Sequence, residues 1–250
     1  MATADSRRDL QPYWLKMPFS TNMVEGEVFD RIGVVERGEM DLTEKRIALV
    51  ADIVGSRKIQ ERIAFDEQLV GCLTDLSDHN PHILSPYTLI GDEVQAVFSS
   101  AASLFTDAVT ILSTIHPVKM RFSYGVGTLI KPINPKQAIE MDGPAFYRAR
   151  DGVNDLKETG YLFTVVGEEV PQVDLVREAL SLVSHEMQEW NENRLRTLVM
   201  RQGNVPVKEI AEKLGISDKA VYKTIDAGAL EVIMHLFDEI EGALDAGLQR

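Results

Sequence analysis

Residues 47–54 read Ile-Ala-Leu-Val-Ala-Asp-Ile-Val, an apolar run that is bounded by charged residues. A run of this length and composition predicts a buried β-strand. Asp52 is the only charged residue within it and lies near its C-terminal end.

The residues that follow predict alternating helices and strands. A helix comes first and is broken at Asn80 and Pro81. Two short apolar stretches, Tyr87–Ile90 and Val94–Phe98, flank Gly91–Glu93, which indicates a hairpin with Gly-Asp at its tip. The remaining expected elements are a helix at Ala101–Ile115, a strand at Met120–Leu129, a helical region that begins at Pro135–Met141 and continues over Ala145–Thr159, and a strand at Tyr161–Val166. The order β-α-β-β-α-β-α-β predicts an α/β sandwich of the ferredoxin-like kind.

The C-terminal part of the chain predicts helices alone, after Pro171 interrupts the pattern. We therefore expect an α+β protein, in which an α/β domain at residues 41–168 precedes an all-α domain at residues 173–250. Residues 1–40 show no sustained periodicity. They are interpreted as a partly disordered extension, with a short strand at Phe29–Val35.

The composition restricts the function classes. The chain has 250 residues, of which 39 are acidic and 26 basic, and its formal net charge is −13. Such a charge does not attract the whole molecule to nucleic acid or anionic lipid, so any nucleic-acid binding requires a local basic patch. The single cysteine, Cys72, excludes an intramolecular disulfide and a multi-cysteine zinc site. No apolar run approaches the roughly 18 residues that cross a bilayer, so we expect a cytoplasmic protein without membrane contact.

Two carboxylates, Asp52 and Asp92, each lie near a glycine where a predicted strand ends. If the first strand and the hairpin are neighbours in the sheet, both side chains can converge on one divalent cation. Such oxygen ligands suit Mg²⁺, or Mn²⁺, and Mg²⁺ usually keeps waters and substrate phosphates in its coordination shell. The N–H groups of Gly55 and Ser56 can face a phosphate at the start of the first helix. The alternative is that Asp52 caps a helix and that Asp92 belongs to a polar turn.

Three arginines, Arg57, Arg121 and Arg150, can offer bidentate contacts to phosphates. The alternative for each is surface pairing with a local acid, such as Glu61 or Asp151.

Three segments resemble motifs of the class III nucleotide cyclases. Asp52–Ser56 is similar to the first metal motif of that family, Thr88–Asp92 to the second, and Arg121–Gly127 to the strand that follows. The resemblance implies that the aspartates of the first two segments hold two metal ions over a nucleoside triphosphate. It also implies that the Ile53 carbonyl is a backbone ligand.

The cyclase pattern is incomplete in this sequence. Thr88 stands at the position of the purine-reading lysine and supplies no positive charge. Phe146 stands at the asparagine of the Asn-x-Ala-Ala-Arg motif and cannot form its hydrogen bond, whereas the arginine is retained as Arg150. These departures favour nucleotide sensing over turnover.

A second resemblance, to the SatD family of small bacterial proteins, involves more motifs. The matching segments are Asp52–Arg57, Gly91–Gln95, Met120–Phe122 and Asp142–Arg150, in the expected order. This resemblance covers about half of the chain and implies a cyclase-like or palm-like fold without a settled reaction.

Residues 207–225 have the pattern of a helix-turn-helix. Apolar residues have the spacing of two short helices packed across a tight turn, at Ile210, Leu214, Ile216, Val221 and Ile225. Gly215 permits the turn, and Ser217 can cap the second helix. The segment resembles the helix-turn-helix of bacterial regulators and sigma factors.

The charge distribution agrees with this pattern, because residues 194–225 contain seven basic and three acidic residues. A helix-turn-helix places its second helix in the major groove of DNA. Residues expected at that interface are Lys208, Asp218, Lys219, Tyr222 and Lys223, with Arg194, Arg196 and Arg201 as further phosphate contacts. The alternative is a helical module that binds a protein.

We therefore expect a DNA-binding regulatory protein whose cyclase-like domain binds a nucleoside triphosphate or related nucleotide with Mg²⁺ as a sensor. One alternative is an active nucleotidyl cyclase or transferase whose helical domain docks a protein partner, and another is a non-catalytic scaffold. The apolar stripe of the tail helix at Leu230–Leu244 either packs on the helix-turn-helix or pairs with a second chain as a homodimer.

Overall fold

The strand predicted at residues 47–54 is observed as β1, Arg46–Ile53, in a computed structural model that describes residues 43–250. Residues 47–51 are at most 1% exposed, because β1 is the central strand of a sheet and both of its faces are covered. The predictions made for residues 1–40, including the strand at Phe29–Val35, lie outside the described residues.

One five-stranded sheet is formed by the described residues. Its strands are β1, β2 at Ile83–Ile90, β3 at Glu93–Phe98, β4 at Met120–Gly127 and β5 at Phe163–Val166. Their order across the sheet is β2-β3-β1-β4-β5. β1 is antiparallel to β3 and β4, β2 is antiparallel to β3, and β5 is parallel to β4.

Eight α-helices accompany the sheet in the part of the chain that the structure describes. They are α1 at Arg62–His79, α2 at Leu104–Ile115, α3 at Pro144–Thr159, α4 at Val173–Met187, α5 at Glu192–Gln202, α6 at Val207–Leu214, α7 at Asp218–Ala227 and α8 at Leu230–Leu248. The order of elements up to β5 is the one that the sequence predicted, and the fold is a mixed α+β fold.

Helix α3 covers one face of the sheet and lies very close to β4. A Cβ atom added to Gly125 of β4 would lie 2.0 Å from the carbonyl oxygen of Ala145, so only glycine allows this approach. The core on this face consists of small and large apolar side chains, including Ala48, Val50, Val97, Phe146, Ala149 and Val153. The packing of α3 on the sheet therefore depends on the close approach of the α3 backbone to β4.

The opposite face carries an aromatic cluster that joins the C-terminal helix to the sheet. The rings of Phe105 in α2 and Phe237 in α8 stack with centroids 4.5 Å apart. Phe105 also meets Tyr124 of β4 and Phe163 of β5 edge to face. Such ring pairs stabilise a fold beyond the area they bury. Residues of α8 thus belong to the same core as the sheet.

Two carboxylates of α8 accept backbone hydrogen bonds, one from the first turn of α2 and one from the segment just before it. Glu241 accepts a hydrogen bond from Phe105 N at 3.0 Å, and Asp245 accepts one from Ala101 N at 2.6 Å. The first N–H groups of a helix have no partner within the helix, so side chains from elsewhere supply the cap. Residues 43–250 accordingly belong to one compact unit.

The helical prediction for Pro135–Met141 is wrong. This segment is irregular, and α3 begins only at Pro144. Ala138 and Met141 have helical spacing in the sequence, but they are buried because the loop folds against α3. Glu140 has φ +60°, which interrupts a helix.

The apolar stripe of α8 is covered by the chain itself, at Leu230, Ile233, Phe237, Ile240 and Leu244. Phe237 of this stripe packs on Phe105 of α2 and Phe163 of β5, which the sequence did not predict, and pairing with a second chain stays a prediction. Within residues 43–250, none of the helices has both the length and the apolar character that spanning a bilayer needs.

Candidate functional site

The two predicted carboxylates lie at the same end of the sheet. β1 and β3 are neighbours, and the Ile53 N–H at the end of β1 donates to the backbone oxygen of Asp92 at 3.0 Å. Asp92 occupies the tip of the β2–β3 hairpin and is exposed. Its Oδ2 accepts a hydrogen bond from Ser56 Oγ at 3.0 Å. The structure therefore brings together Asp92, Ser56 and the end of β1.

The loop after β1 turns sharply at Gly55, which has φ +68°. This left-handed conformation is easily adopted only by glycine. Gly55 is followed by a three-residue 3₁₀ helix, Ser56–Lys58, and not directly by α1. Gly55 and Ser56 therefore lie at the start of a short turn and not at the start of α1, and Arg57 in this turn is exposed.

Asp52 is held between two cations. Its Oδ2 lies 2.9 Å from Arg121 Nη1, and its Oδ1 lies 3.0 Å from Lys157 Nζ. Arg121 Nε also donates to the carbonyl oxygen of Leu156 near the end of α3. The Asp52 and Arg121 side chains are 14% and 16% exposed, whereas that of Lys157 is 49% exposed. We call Asp52, Arg121 and Lys157 the sheet-end cluster.

The donor set at this end of the sheet is chemically suited to a hard divalent cation, because it consists of carboxylate and backbone oxygens. The Lys157 ammonium beside Asp52 Oδ1 is itself a cation at that carboxylate. No group of three or more His, Cys, Asp or Glu side chains within residues 43–250 is arranged to hold a metal ion. An ion bound there would therefore take its other ligands from water, backbone or phosphate.

The predicted phosphate-binding arginines differ in their surroundings. Arg121 is occupied by Asp52 and by the end of α3, so this conformation does not present it to a ligand. Arg150 is exposed, and its guanidinium lies over the ring of Phe146 at 5.8 Å from the centroid. Phe146 itself is fully buried in the core. The structure does not gather the three arginines around a common point.

Thr88, which stands at the position of the cyclase lysine, forms hydrogen bonds that support the fold. Its Oγ1 accepts a hydrogen bond from Ala138 N at 2.9 Å and donates to Pro86 O at 2.9 Å. It therefore fixes the loop between β4 and α3 against β2.

Helices α6 and α7 form a second candidate surface. They are joined by a turn in which Gly215 has φ +66° and Ser217 Oγ accepts a hydrogen bond from Ala220 N. These are the turn and the cap that the sequence predicted. Ile210 and Val221 are fully buried between the helices and the rest of the chain.

The residues expected to contact DNA lie on the outer side of these helices. Lys208, Asp218, Lys219 and Lys223 are exposed, and the Tyr222 side chain is 57% exposed. We call these five residues the α7 face, although Lys208 belongs to α6 and only the other four belong to α7. Their exposure places all five outside the core.

The three upstream arginines are engaged within the protein. The Arg201 guanidinium lies 2.8 Å from Glu231 of α8, and Arg196 lies 3.2 Å from Glu192. The Arg194 guanidinium lies over the Trp190 ring at 5.7 Å from its centroid. Part of the basic charge of residues 194–225 is thus balanced internally.

Two residues with evident roles were missed by sequence reasoning. Lys157 contacts Asp52, although nothing in its local sequence indicates this. Arg62 donates to the Gly91 carbonyl oxygen at the hairpin tip and to Asp66, so it ties α1 to the candidate site. Arg62 follows the first predicted strand closely, and its place at the start of a helix is the signal that could have found it.

One buried acid lies away from both surfaces. Asp107 in α2 is 5% exposed and accepts hydrogen bonds from Asn80 Nδ2 at 3.0 Å and from Tyr87 OH at 2.8 Å. Burial raises the pKa of Asp107 to about 6, against the lowering effect of these two hydrogen bonds. Its partners are neutral, in contrast to those of Asp52.

Comparisons with known proteins give three findings. A family model described as the SatD family matches residues 46–239. A solved structure titled "Structure of a bacterial light-regulated adenylyl cyclase" is similar over 49% of this chain and 75% of that chain, with 17% sequence identity and a TM-score of 0.35. The comparison with curated proteins finds no match.

Proposed function

The chain belongs to the SatD family, and from this premise we propose that it is a DNA-binding regulatory protein whose α/β part binds a nucleotide with Mg²⁺ as a sensor. The observation that carries the proposal is the α7 face. Its three lysines and its tyrosine are exposed on two short helices whose turn and cap match a helix-turn-helix. In such a unit the second helix lies in the major groove.

The charge distribution of the chain favours contact with DNA through a local basic surface and opposes contact through most of the molecular surface. The net charge of −13 repels a duplex from most of the surface. Lys208, Lys219 and Lys223 are exposed on α6 and α7, where they can neutralise phosphates. Tyr222 lies next to Lys223 on α7 and can reach a base edge or a phosphate.

The test measures DNA binding by the full chain with fluorescence anisotropy on labelled genomic fragments at two salt concentrations. Lys223→Ala should weaken binding. If Lys223 contacts a phosphate, the variant should also lower the slope of log affinity against log salt by about 0.9. Lys136→Ala is the matched control, because Lys136 is exposed in the loop between β4 and α3.

Two outcomes would contradict the proposal. One is an equal loss of affinity in Lys136→Ala, which would indicate nonspecific attraction. The other is no binding to any fragment by a chain that circular dichroism shows to be folded, which would favour a protein partner for α6 and α7.

The nucleotide part of the proposal rests on the end of the sheet. Asp52, Asp92 and the Ile53 carbonyl would hold the ion, and the ion would supply positive charge to the phosphates of the nucleotide. Gly55, Ser56 and the exposed Arg57 are close in sequence to this point and would contact phosphates, with Arg150 as a further candidate. Ser56 holds the Asp92 carboxylate in place through its hydroxyl group.

Calorimetric titration with Mg²⁺ and with nucleoside triphosphates tests this part. Asp92→Asn and Asp52→Asn should each weaken binding of both ligands, whereas unchanged titrations in both variants would refute it. Mass analysis of the same mixtures distinguishes sensing from turnover. A cyclic or transferred product that disappears in Asp52→Asn would assign the alternative, an active cyclase or transferase.

A further inference from the structure

The two cations on Asp52 differ in how firmly they are held. Arg121 is 16% exposed and is also bonded to the Leu156 carbonyl oxygen, so it is fixed by two partners. Lys157 is 49% exposed, and Asp52 is its one ion-pair partner among the described residues. An ion pair with one half-exposed lysine contributes little to stability and is screened by salt.

The charges at this point oppose the entry of a further cation. One carboxylate already faces an ammonium and a guanidinium, so the sheet-end cluster carries an excess of one positive charge. A divalent ion that coordinates Asp52 Oδ1 would lie within a few ångströms of the Lys157 ammonium at its present position, and like charges so close repel each other strongly. The lysine and the metal ion therefore exclude each other at this oxygen.

We propose that Lys157 is a displaceable cation that occupies the metal-binding oxygen of Asp52 in the free protein, and that its departure sets the affinity for the divalent ion. This inference rests on the proposed function, because it assumes that Asp52 is a metal ligand. The role of Lys157 is that of a positioning residue, since it acts through Asp52. Arg121 stays on Oδ2 and keeps the carboxylate in place.

The experiment titrates the full chain with Mn²⁺ and measures free Mn²⁺ by electron paramagnetic resonance, without nucleotide. Lys157→Gln should tighten Mn²⁺ binding by about two- to fivefold, the range expected for a half-exposed ion pair. Lys157→Arg keeps the charge and should bind Mn²⁺ like the unmodified chain. Added monovalent salt should narrow the difference between Lys157→Gln and the unmodified chain, because salt screens the pair.

Two controls separate competition at Asp52 from a general effect of charge. Lys58→Gln removes the same charge from an exposed lysine just after β1, and it should change Mn²⁺ affinity less than Lys157→Gln does. In an Asp52→Asn background, Lys157→Gln should have no effect. Equal tightening by both lysine variants, or the same gain in the Asp52→Asn background, would overturn the inference.

The remaining outcomes assign failure to one proposal or the other. If Asp52→Asn and Asp92→Asn weaken Mn²⁺ binding while Lys157→Gln leaves it unchanged, the metal site stands and the role of Lys157 is refuted. If neither aspartate variant changes binding, the metal site itself is refuted and the inference with it.

Discussion

The sheet-end cluster and the α7 face use charged residues in opposite ways. In the cluster, Asp52 is 14% exposed and both of its oxygens contact a cation. On the α7 face, the lysines are exposed and project from helices whose packing does not involve them. The cluster joins β1, β4 and α3, whereas the residues of the α7 face are exposed in the part of the chain that the structure describes.

This difference predicts which substitutions affect stability and which affect binding. Partly buried ion pairs that connect elements should affect folding when one member is removed. Exposed lysines and tyrosines should leave folding unchanged and affect only what the protein binds.

The largest effect is expected where α3 meets β4, because that contact holds the sheet-end cluster together. Gly125→Ala places a Cβ atom 2.0 Å from Ala145 O and 2.6 Å from Ala149 N, both backbone atoms. Since α3 would have to move as a whole, we expect a loss of at least about 3 kcal/mol in unfolding free energy. Urea denaturation followed by circular dichroism measures it.

Gly71→Ala is the matched control for this prediction. Gly71 is in the middle of α1, and a Cβ atom added there would meet no atom within 4 Å apart from its chain neighbours and the nearby backbone of α1 itself. It should stabilise the protein by roughly 0.5–1 kcal/mol through helix propensity. Equal destabilisation by both variants would show that the close approach at Gly125 is not the cause.

Features of this arrangement that arise from local interactions could be predicted from the sequence, whereas features that arise from tertiary packing could not. The strands were predicted because an apolar run at residues 47–54 and a hairpin at Gly91–Glu93 are local signals. The helix expected at Pro135–Met141 failed because Ala138 and Met141 have helical spacing for another reason. They pack on α3 from an irregular loop, and tertiary packing overrides spacing in so short a segment.

The candidate site was predictable in position but not in detail. Asp52 lies near the end of β1 and Asp92 lies in the turn between β2 and β3, so their position at the same end of the sheet follows once β1 and β3 are adjacent. The partners of Asp52 come from β4 and from the last turn of α3, far away in sequence. No local pattern indicates that Lys157 or Arg121 faces that carboxylate, because the pairing exists only after α3 has packed on the sheet.

The next prediction concerns the cluster directly. Asp52→Ala leaves the guanidinium of Arg121, which is 16% exposed, without its carboxylate. We expect unfolding free energy to fall by about 1–3 kcal/mol, less than for a fully buried pair because Lys157 is half exposed. Lys223→Ala, measured in the same urea titrations, should stay within about 0.5 kcal/mol of the unmodified chain. Equal losses in the two variants would contradict the separation of stability from binding.

A third prediction contrasts Asp52 with the buried acid Asp107, which has neutral partners. Burial raises the pKa of Asp107 to about 6, so the folded state binds this proton more tightly than the unfolded state does. The resulting stability is present below the unfolded pKa of about 4 and is lost as pH rises through about 6.

Asp107→Asn removes this titration while keeping an oxygen acceptor. The stability of the variant relative to the unmodified chain should therefore rise by about 1–1.5 kcal/mol between about pH 5 and about pH 7.5. Urea titrations at both pH values measure it. A relative stability that is flat, or that falls as pH rises, would show that Asp107 is ionised in the folded protein throughout this range.

The smallest effect on stability and the narrowest effect on binding are expected at Tyr222. Its side chain is 57% exposed, so Tyr222→Ala should change unfolding free energy by no more than about 0.5 kcal/mol.

Phosphate contacts carry no sequence information, whereas contacts to base edges do. If Tyr222 reaches a base edge, its removal should relax the preference at one position of a selected DNA site and leave affinity for random DNA nearly unchanged. Lys223→Ala should do the reverse and weaken binding to all sequences alike. Selection from a randomised DNA pool, carried out with both variants, measures the two effects together. Identical preferences in Tyr222→Ala and the unmodified chain would place Tyr222 outside the base-reading surface of α7.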